Sequence, residues 1–139
     1  KALDYEKKFK LNKIDTYLKF EKKIQKIKEI CNKKINSILS LKQKIHGYGA
    51  STKGNVILQY FDIDNKKIDF ISDRNPFKNN RYTPGTKIKI ISEKKSRNLK
   101  PNYYFVLPWH FKKEILKREI KIRKKNTKFI FPLPKFYII

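Results

Sequence analysis

Apolar residues recur every three or four positions along the first third of the chain. The recurrence begins near Ile14 and continues to about Leu41, and lysines fill many of the intervening positions. This spacing places the apolar side chains along one side of a helix, so the pattern predicts a long amphipathic helix from Asn12 to Leu41. Asn12 is a residue type favoured at helix N-caps, and Asp15 follows three positions later. The first eleven residues are expected to form a linker or an arriving strand.

Beyond residue 41 the pattern changes to short apolar runs separated by turn residues. The predicted strands cover 45–48, 67–73, 87–91, 103–107 and 128–131. The helices predicted between them cover 55–61, a segment from Ser92 to just before Pro101, and 111–124. A polar loop with proline turn signals is predicted at 74–86. Strands that alternate with helices indicate an α/β domain with a parallel sheet and helices on both faces. The chain therefore divides into a linker with a long helix at 1–41 and an α/β domain at 42–139.

A glycine-rich segment joins the first predicted strand to the helix that follows. Glycine allows positive φ and close approach of a ligand, and the start of a helix offers free N–H groups to an anion. The segment is not a P-loop, because Asn55 stands where that motif has lysine, and Thr52 stands at the third glycine of the dinucleotide fingerprint. A phosphate-binding loop and a tight turn without a ligand therefore both fit. The candidate residues are Gly47, Tyr48, Gly49, Ala50, Ser51, Thr52, Lys53, Gly54 and Asn55.

Further candidate residues stand at the ends of other predicted strands. Asp73 ends the second strand, where an acid reaches ribose hydroxyls in nucleotide-binding α/β folds, although it could equally cap the next turn. Arg74 follows it and could either neutralise Asp73 or bind phosphate with two hydrogen bonds. Trp109 follows the fourth strand, where it could stack on a base or sugar or cover the end of the sheet.

The charge of the chain points to anionic partners. Its 139 residues contain 36 Lys+Arg and 12 Asp+Glu, a net charge of +24. Such a field attracts nucleic acids, nucleotides and anionic membrane surfaces, although AT-rich codon usage would also enrich lysine. Five strand aromatics could form a base-stacking platform for RNA, but their strands are apolar on both faces, which favours burial. These are Tyr103, Tyr104, Phe105, Phe129 and Phe131.

The sequence contains few residues that indicate disulfide, metal-binding or catalytic chemistry. Cys31 is the only cysteine, which excludes an intramolecular disulfide and indicates a reducing, cytoplasmic setting. No apolar run is long enough to span a membrane, and no secretory signal opens the chain. His46 and His110 have no partners at metal-ligand spacing, and no catalytic set is apparent. Because the chain begins at Lys1 and contains no methionine, it is expected to be a processed chain or a fragment.

Four collinear segments resemble the C-terminal domain of S-adenosylmethionine-dependent sugar C-methyltransferases, which act on nucleotide-linked deoxysugars. The segments are GYGASTKGNVILQY, DRNPFKNNRYTPGTKIKI, KPNYYFVLPWHFKKEI and KFIFPLP. The resemblance runs from about Asp15 to Pro134. It implies a Rossmann-like, mostly parallel sheet, and makes the long first helix similar to the family's connecting helix.

The resemblance also implies a division of labour. In the family, a zinc-binding domain and a central methyltransferase domain precede this one, and the central domain holds S-adenosylmethionine and the acid–base residues. This chain is therefore expected to contain no cofactor and no catalytic residues, with that core as its partner, in the same chain or separate. Its expected role is to bind the nucleotide-sugar, and the alternative is a basic nucleic-acid-binding protein such as a ribonucleoprotein component. The substrate-binding residues that the resemblance implies are the glycine loop, Asp73, Arg74, Asn75 and Tyr82.

Overall fold

The computed structural model describes residues 1–139. The helices are α1 (Ala2–Lys8), α2 (Ile14–Ser40), α3 (Thr52–Tyr60), α4 (Glu93–Asn98), α5 (Lys112–Arg118) and α6 (Ile120–Arg123). The strands are β1 (Ile45–Tyr48), β2 (Phe70–Asp73), β3 (Lys89–Ser92), β4 (Tyr103–Val106), β5 (Lys128–Phe131) and β6 (Tyr137–Ile138). Short 3₁₀ turns lie at Pro76–Lys78 and Trp109–Phe111.

The strands form a single sheet in the order β3-β2-β1-β4-β5-β6. The five strands β1 to β5 are all parallel to their neighbours in the sheet, and β6 is antiparallel to β5. The predicted α/β architecture with a mostly parallel sheet is confirmed, whereas β6 was not predicted. The order of the strands reverses between β1 and β4. In open α/β sheets a ligand crevice forms at such a point, outside the carboxyl ends of the strands.

Each face of the sheet carries its own hydrophobic core. The larger cluster joins α2 and α3 to one face, through residues such as Ile35, Leu58 and Phe105. The smaller cluster joins α5 to the other face, through Ile115 and Tyr104. All five strand aromatics are buried, as the apolar character of both strand faces predicted. The sheet therefore exposes no aromatic platform on which RNA bases could stack.

The long helix α2 is packed along only part of its length. Its buried residues are Ile27, Cys31, Ile35 and Ile38, all in its second half. These side chains join the larger core cluster, so this half of the helix is part of the folded domain. The first half contributes no fully buried residue.

The ends of several elements differ from the prediction. The N-cap of α2 is Lys13 without a side-chain cap bond, so the N-cap predicted at Asn12 is wrong. The residues before it form α1, not a linker or a strand, and the rings of Tyr5 and Phe9 pack 5.0 Å apart. The N-cap at Ser92 is confirmed, because its hydroxyl accepts a hydrogen bond from the N–H of Lys95 at 3.2 Å. The helix predicted at 111–124 is broken into α5 and α6.

Candidate functional site

Two glycines let the loop between β1 and α3 pack against the end of β4. Gly49 has a φ of +79°, and a Cβ placed there would lie 3.0 Å from the ring of Pro108. A Cβ on Gly54 would lie 2.4 Å from the Cβ of Leu107, which is closer than non-bonded carbon atoms can approach each other. The turn therefore requires these glycines whether or not a ligand binds there.

The start of α3 leaves several backbone N–H groups free. The side chain of Ser51 accepts a hydrogen bond from the N–H of Gly54 at 3.0 Å, and its carbonyl accepts one from Asn55 at 2.9 Å. The N–H groups of Ser51, Thr52 and Lys53 have no acceptor within the molecule. Free N–H groups at the positive end of a helix are a favourable environment for an anion.

Asp73 holds the glycine loop in place. Its Oδ2 accepts a hydrogen bond from the N–H of Ala50 at 2.7 Å, and its Oδ1 accepts one from the N–H of Asn75 at 2.8 Å. The Lys78 ammonium lies 3.4 Å from Oδ2 and donates to the carbonyl of Ala50 at 2.7 Å. These contacts correspond to the turn-capping alternative considered for Asp73. A contact with ribose stays a prediction.

A cleft of about 800 Å³ lies outside the carboxyl ends of β1, β2 and β4, where the strand order reverses. This volume is within the range of small-molecule sites. One wall contains eight of the residues predicted from sequence: Tyr48, Gly49, Ala50, Ser51, Thr52, Asp73, Arg74 and Asn75. The charged residues around the cleft are Arg74, Lys78, Arg118, Asp73, Glu93 and Glu114. Because its lining contains both cations and carboxylates, the cleft can accept an anionic group together with groups that donate hydrogen bonds.

The remaining predicted residues lie outside this cleft. Tyr82 and Asn55 line a smaller cavity of about 230 Å³. Gly47 and Gly54 are buried. Lys53 and Trp109 line a separate space of about 490 Å³, which we call the apolar groove. The apolar residues that define this groove are Phe20, Ile24, Val56, Ile57, Tyr60, Trp109 and Leu133.

Trp109 is half-buried and packs against both core clusters. This position corresponds to the alternative in which Trp109 covers the end of the sheet. Lys53 is exposed and lies on the groove side of α3. A role for either side chain in binding substrate stays a prediction.

A buried carboxylate supports the opposite wall of the cleft and was missed by the sequence reasoning. Glu119 is only 2% exposed and accepts hydrogen bonds from the hydroxyl of Tyr48 at 2.7 Å and from Arg97 at 2.9 Å. Arg118 donates to Glu119 at 3.0 Å, to Glu93 at 2.6 Å and to the hydroxyl of Tyr48. Burial, reinforced by the bond to Glu119, raises the pKa of the Tyr48 hydroxyl. These residues orient the Arg118 guanidinium at the edge of the cleft.

A second polar cluster is enclosed between α4 and the sheet. His46 Nδ1 lies 2.8 Å from the Ser96 hydroxyl, which lies 2.9 Å from the hydroxyl of Tyr104. Burial lowers the pKa of His46 to about 4, and the nearby Lys44 contributes to the shift. None of the three clustered side chains lines the cleft. The arrangement satisfies polar groups that the sheet buries.

No group of three or more His, Cys, Asp or Glu side chains is placed to hold a metal ion. No helix is both long enough and apolar enough to cross a membrane. Cys31 is fully buried in the core, and burial raises the pKa of its thiol to about 12.

Comparison with known proteins assigns the chain to a protein family. The family model described as the C-methyltransferase C-terminal domain matches residues 1–134. The chain belongs to this C-methyltransferase C-terminal domain family. It is also similar to the C-methyltransferase NovU of Streptomyces niveus, with 27% identity over 123 residues. The match covers 88% of this chain and 29% of the relative, so the chain spans less than a third of the relative's length.

Proposed function

We propose that this domain binds the nucleotide-sugar substrate of an S-adenosylmethionine-dependent C-methyltransferase. The observation that carries the proposal is the cleft at the reversal of strand order, into which the loop before α3 brings Ser51 and Thr52 with free N–H groups. Membership of a C-methyltransferase family and similarity to a much longer C-methyltransferase supply the enzymatic context.

The proposed ligand has chemistry that matches both walls of the cleft. Its diphosphate would meet the N–H groups of Ser51 and Thr52, with the guanidinium groups of Arg74 and Arg118 adding positive charge. Its sugar hydroxyls would donate hydrogen bonds to the carboxylates of Glu93 or Glu114. A nucleotide-sugar contains both a diphosphate and sugar hydroxyls. It would therefore bind the N–H and guanidinium groups of the cleft as well as its carboxylates.

Methyl transfer itself is assigned to a separate catalytic part. In this proposal S-adenosylmethionine, the structural zinc and the acid–base residues belong to a methyltransferase core, joined to this domain in one chain or by association. The domain contributes substrate binding and closure of the site, in a reducing, cytoplasmic setting.

Isothermal titration calorimetry with a panel of thymidine, uridine and guanosine diphosphate sugars tests the proposal. Arg74 is exposed at the cleft, and we expect Arg74→Gln to weaken binding about tenfold, since a charge-assisted hydrogen bond contributes about 1.5–3 kcal/mol. Arg81 is an exposed arginine of the same loop outside the cleft lining, so Arg81→Gln is the matched control. Absence of binding to every sugar nucleotide, or equal losses in both variants, would contradict the proposal.

The net charge of +24 supports nucleic acid as a second candidate ligand. Because the strand aromatics are buried, such binding would depend on phosphate contacts and not on base stacking on the sheet. Fluorescence anisotropy with single-stranded RNA would then show affinity that is independent of sequence and falls steeply with salt. Tight RNA binding at physiological salt, without sugar-nucleotide binding, would favour this second function.

A further inference from the structure

The apolar stripe that packs α2 against the domain continues beyond the part that is covered. Ile27 begins the buried part of the stripe, and steps of three and four residues toward the N-terminus lead to Ile24, Phe20 and Tyr17. Positions related in this way lie on the same side of a helix. Ile24 is half-buried, whereas Phe20 is 63% and Tyr17 is 52% exposed. The same face of α2 is therefore covered in its second half and open in its first.

This open stretch of α2 forms one side of the apolar groove. Val56 and Tyr60 of α3 form the other side, and Val56 is 62% exposed. Large apolar side chains that are gathered in one groove, and not scattered singly, are typical of an interaction surface. The groove is continuous with the domain's own packing, because Ile24 and Trp109 also contact the larger core cluster.

The charges around the groove indicate what kind of surface covers it. Lysines flank the open stretch of α2 at Lys19, Lys22, Lys23 and Lys26. Lys53 and one carboxylate, Glu21, line the groove itself, so lysines outnumber carboxylates around it. Two copies of this chain would bring these like charges together, in addition to a net charge of +24 each. The pattern therefore favours a different protein surface, one with an apolar centre and an acidic rim.

The groove and the cleft lie next to each other along α3. Ser51 and Thr52, at the start of α3, line the cleft, whereas Val56 and Tyr60 of the same helix line the groove. A body seated in the groove would therefore stand beside the cleft opening. The chain also corresponds to only 29% of its C-methyltransferase relative, which leaves most of such an enzyme to supply that body.

We infer that the apolar groove is the docking site for the methyltransferase core of a C-methyltransferase, with an acidic rim around its contact surface. This inference rests on the proposed function, because the docked core would complete the substrate cleft from the side of α3. Phe20 and Val56 are the central contacts on this domain.

Photo-cross-linking in the native cell tests the inference on the protein as it exists there. A benzophenone amino acid is placed at position 20 and, separately, at position 56, and the cross-linked peptides are identified by mass spectrometry. Position 120 is the control, because Ile120 is 45% exposed on α6, next to α5 on the opposite face of the sheet. We expect positions 20 and 56, but not 120, to cross-link to peptides of an S-adenosylmethionine-binding core, in the same or another chain. Cross-links to a second copy of this domain, to a protein without such a core, or to nothing would overturn the inference.

A charge variant separates docking from folding. We expect Phe20→Glu to reduce the cross-link from position 56 at least tenfold, while the melting temperature of the domain stays within a few degrees, because Phe20 is largely exposed. Ile120→Glu is the matched control and should leave the cross-link unchanged. Equal loss in both variants would count against the groove.

Sugar-nucleotide binding, measured separately by the Arg74 and Arg81 pair, distinguishes the two proposals. Binding without a cross-link to the core would refute the docking site alone. A cross-link without binding would support the docking site and refute the proposed ligand.

Discussion

The carboxylate of Asp73 accepts a hydrogen bond from the backbone N–H of Ala50, with 2.7 Å between Oδ2 and the nitrogen. Through this bond the end of β2 holds the loop that follows β1. The Asp73 side chain is 11% exposed, so the bond is largely protected from competing water. The shape of one cleft wall therefore depends on a side chain from the neighbouring strand.

Replacement of Asp73 should loosen this loop. Asp73→Ala removes the acceptors for the N–H groups of Ala50 and Asn75, so we expect the free energy of unfolding to fall by about 1–3 kcal/mol. Asp73→Asn retains one acceptor oxygen and should cost less. Urea denaturation measures both effects. Asp69→Ala, at an exposed carboxylate without a hydrogen-bond partner, is the control, and a loss equal to that of Asp73→Ala would contradict the role of Asp73.

Gly54→Ala should destabilise the domain although alanine favours helices. At a solvent-exposed helix position, the change from glycine to alanine would raise the free energy of unfolding by about 1 kcal/mol. Here the new Cβ would lie 2.4 Å from the Cβ of Leu107, and overpacking of this kind costs about 1–3 kcal/mol. Thermal and urea unfolding should show a net loss, whereas Lys53→Ala at the exposed neighbouring position should change stability by less than about 0.5 kcal/mol. A more stable Gly54→Ala variant would show that α3 can move away from β4.

Glu119→Gln should be strongly destabilising because it removes the charge on which two arginines converge. Arg97 and Arg118 both donate to this carboxylate, and Glu119 is almost completely buried. Breaking a buried ion pair typically costs about 3–5 kcal/mol, and the partial exposure of both arginines places the expected loss at the lower end. Glu114→Gln, at an exposed carboxylate four helical positions before Arg118, should have little effect in the same urea titration. Comparable losses in the two variants would argue against the buried network.

His46 should make the domain less stable in weak acid. Burial holds the pKa of His46 at about 4 in the folded protein, against 6.5 for the free side chain. Between these values the unfolded chain binds a proton that the folded protein does not. Stability is therefore lost as the pH falls from about 6.5 to about 4, by about 3 kcal/mol in all.

The variant His46→Gln isolates this contribution. It should be less stable at neutral pH, because it disturbs the contact with Ser96, but its stability should change less between pH 7 and pH 4. His110→Gln, at an exposed histidine, should keep the wild-type pH dependence in urea unfolding. If the stability of His46→Gln changed with pH as much as that of the wild type, other groups would cause the acid sensitivity.

The sequence was most informative where local pattern decides structure. The bounds of β1 and β5 were predicted correctly, since turn-forming residues directly follow each strand. By contrast, β6 is two residues long and exists through its pairing with Phe131 and Ile130, which no local pattern records. The break between α5 and α6 falls at Glu119, whose side chain bonds to distant residues instead of facing solvent like its neighbours.

The two walls of the cleft also differ in how far the sequence could predict them. The wall formed by the glycine loop and Asp73 could be predicted, because turn chemistry at strand ends is visible in sequence. Glu93 and Arg118 on the opposite wall resemble ordinary charged helix positions until the fold brings them together. Lys53 was assigned to the loop because α3 was predicted to start at residue 55, but the helix begins at Thr52 and carries Lys53 to the groove side.

Strand β6 also affects how the protein behaves in concentrated solution. The N–H and C=O groups of Phe129 are both bonded to Ile139, so the last residues occupy the side of β5 that would otherwise be an open edge. An unpaired, apolar strand edge recruits strands from other molecules and starts aggregation. Deletion of residues 136–139 should therefore leave a domain that still contains its parallel sheet but loses solubility during refolding.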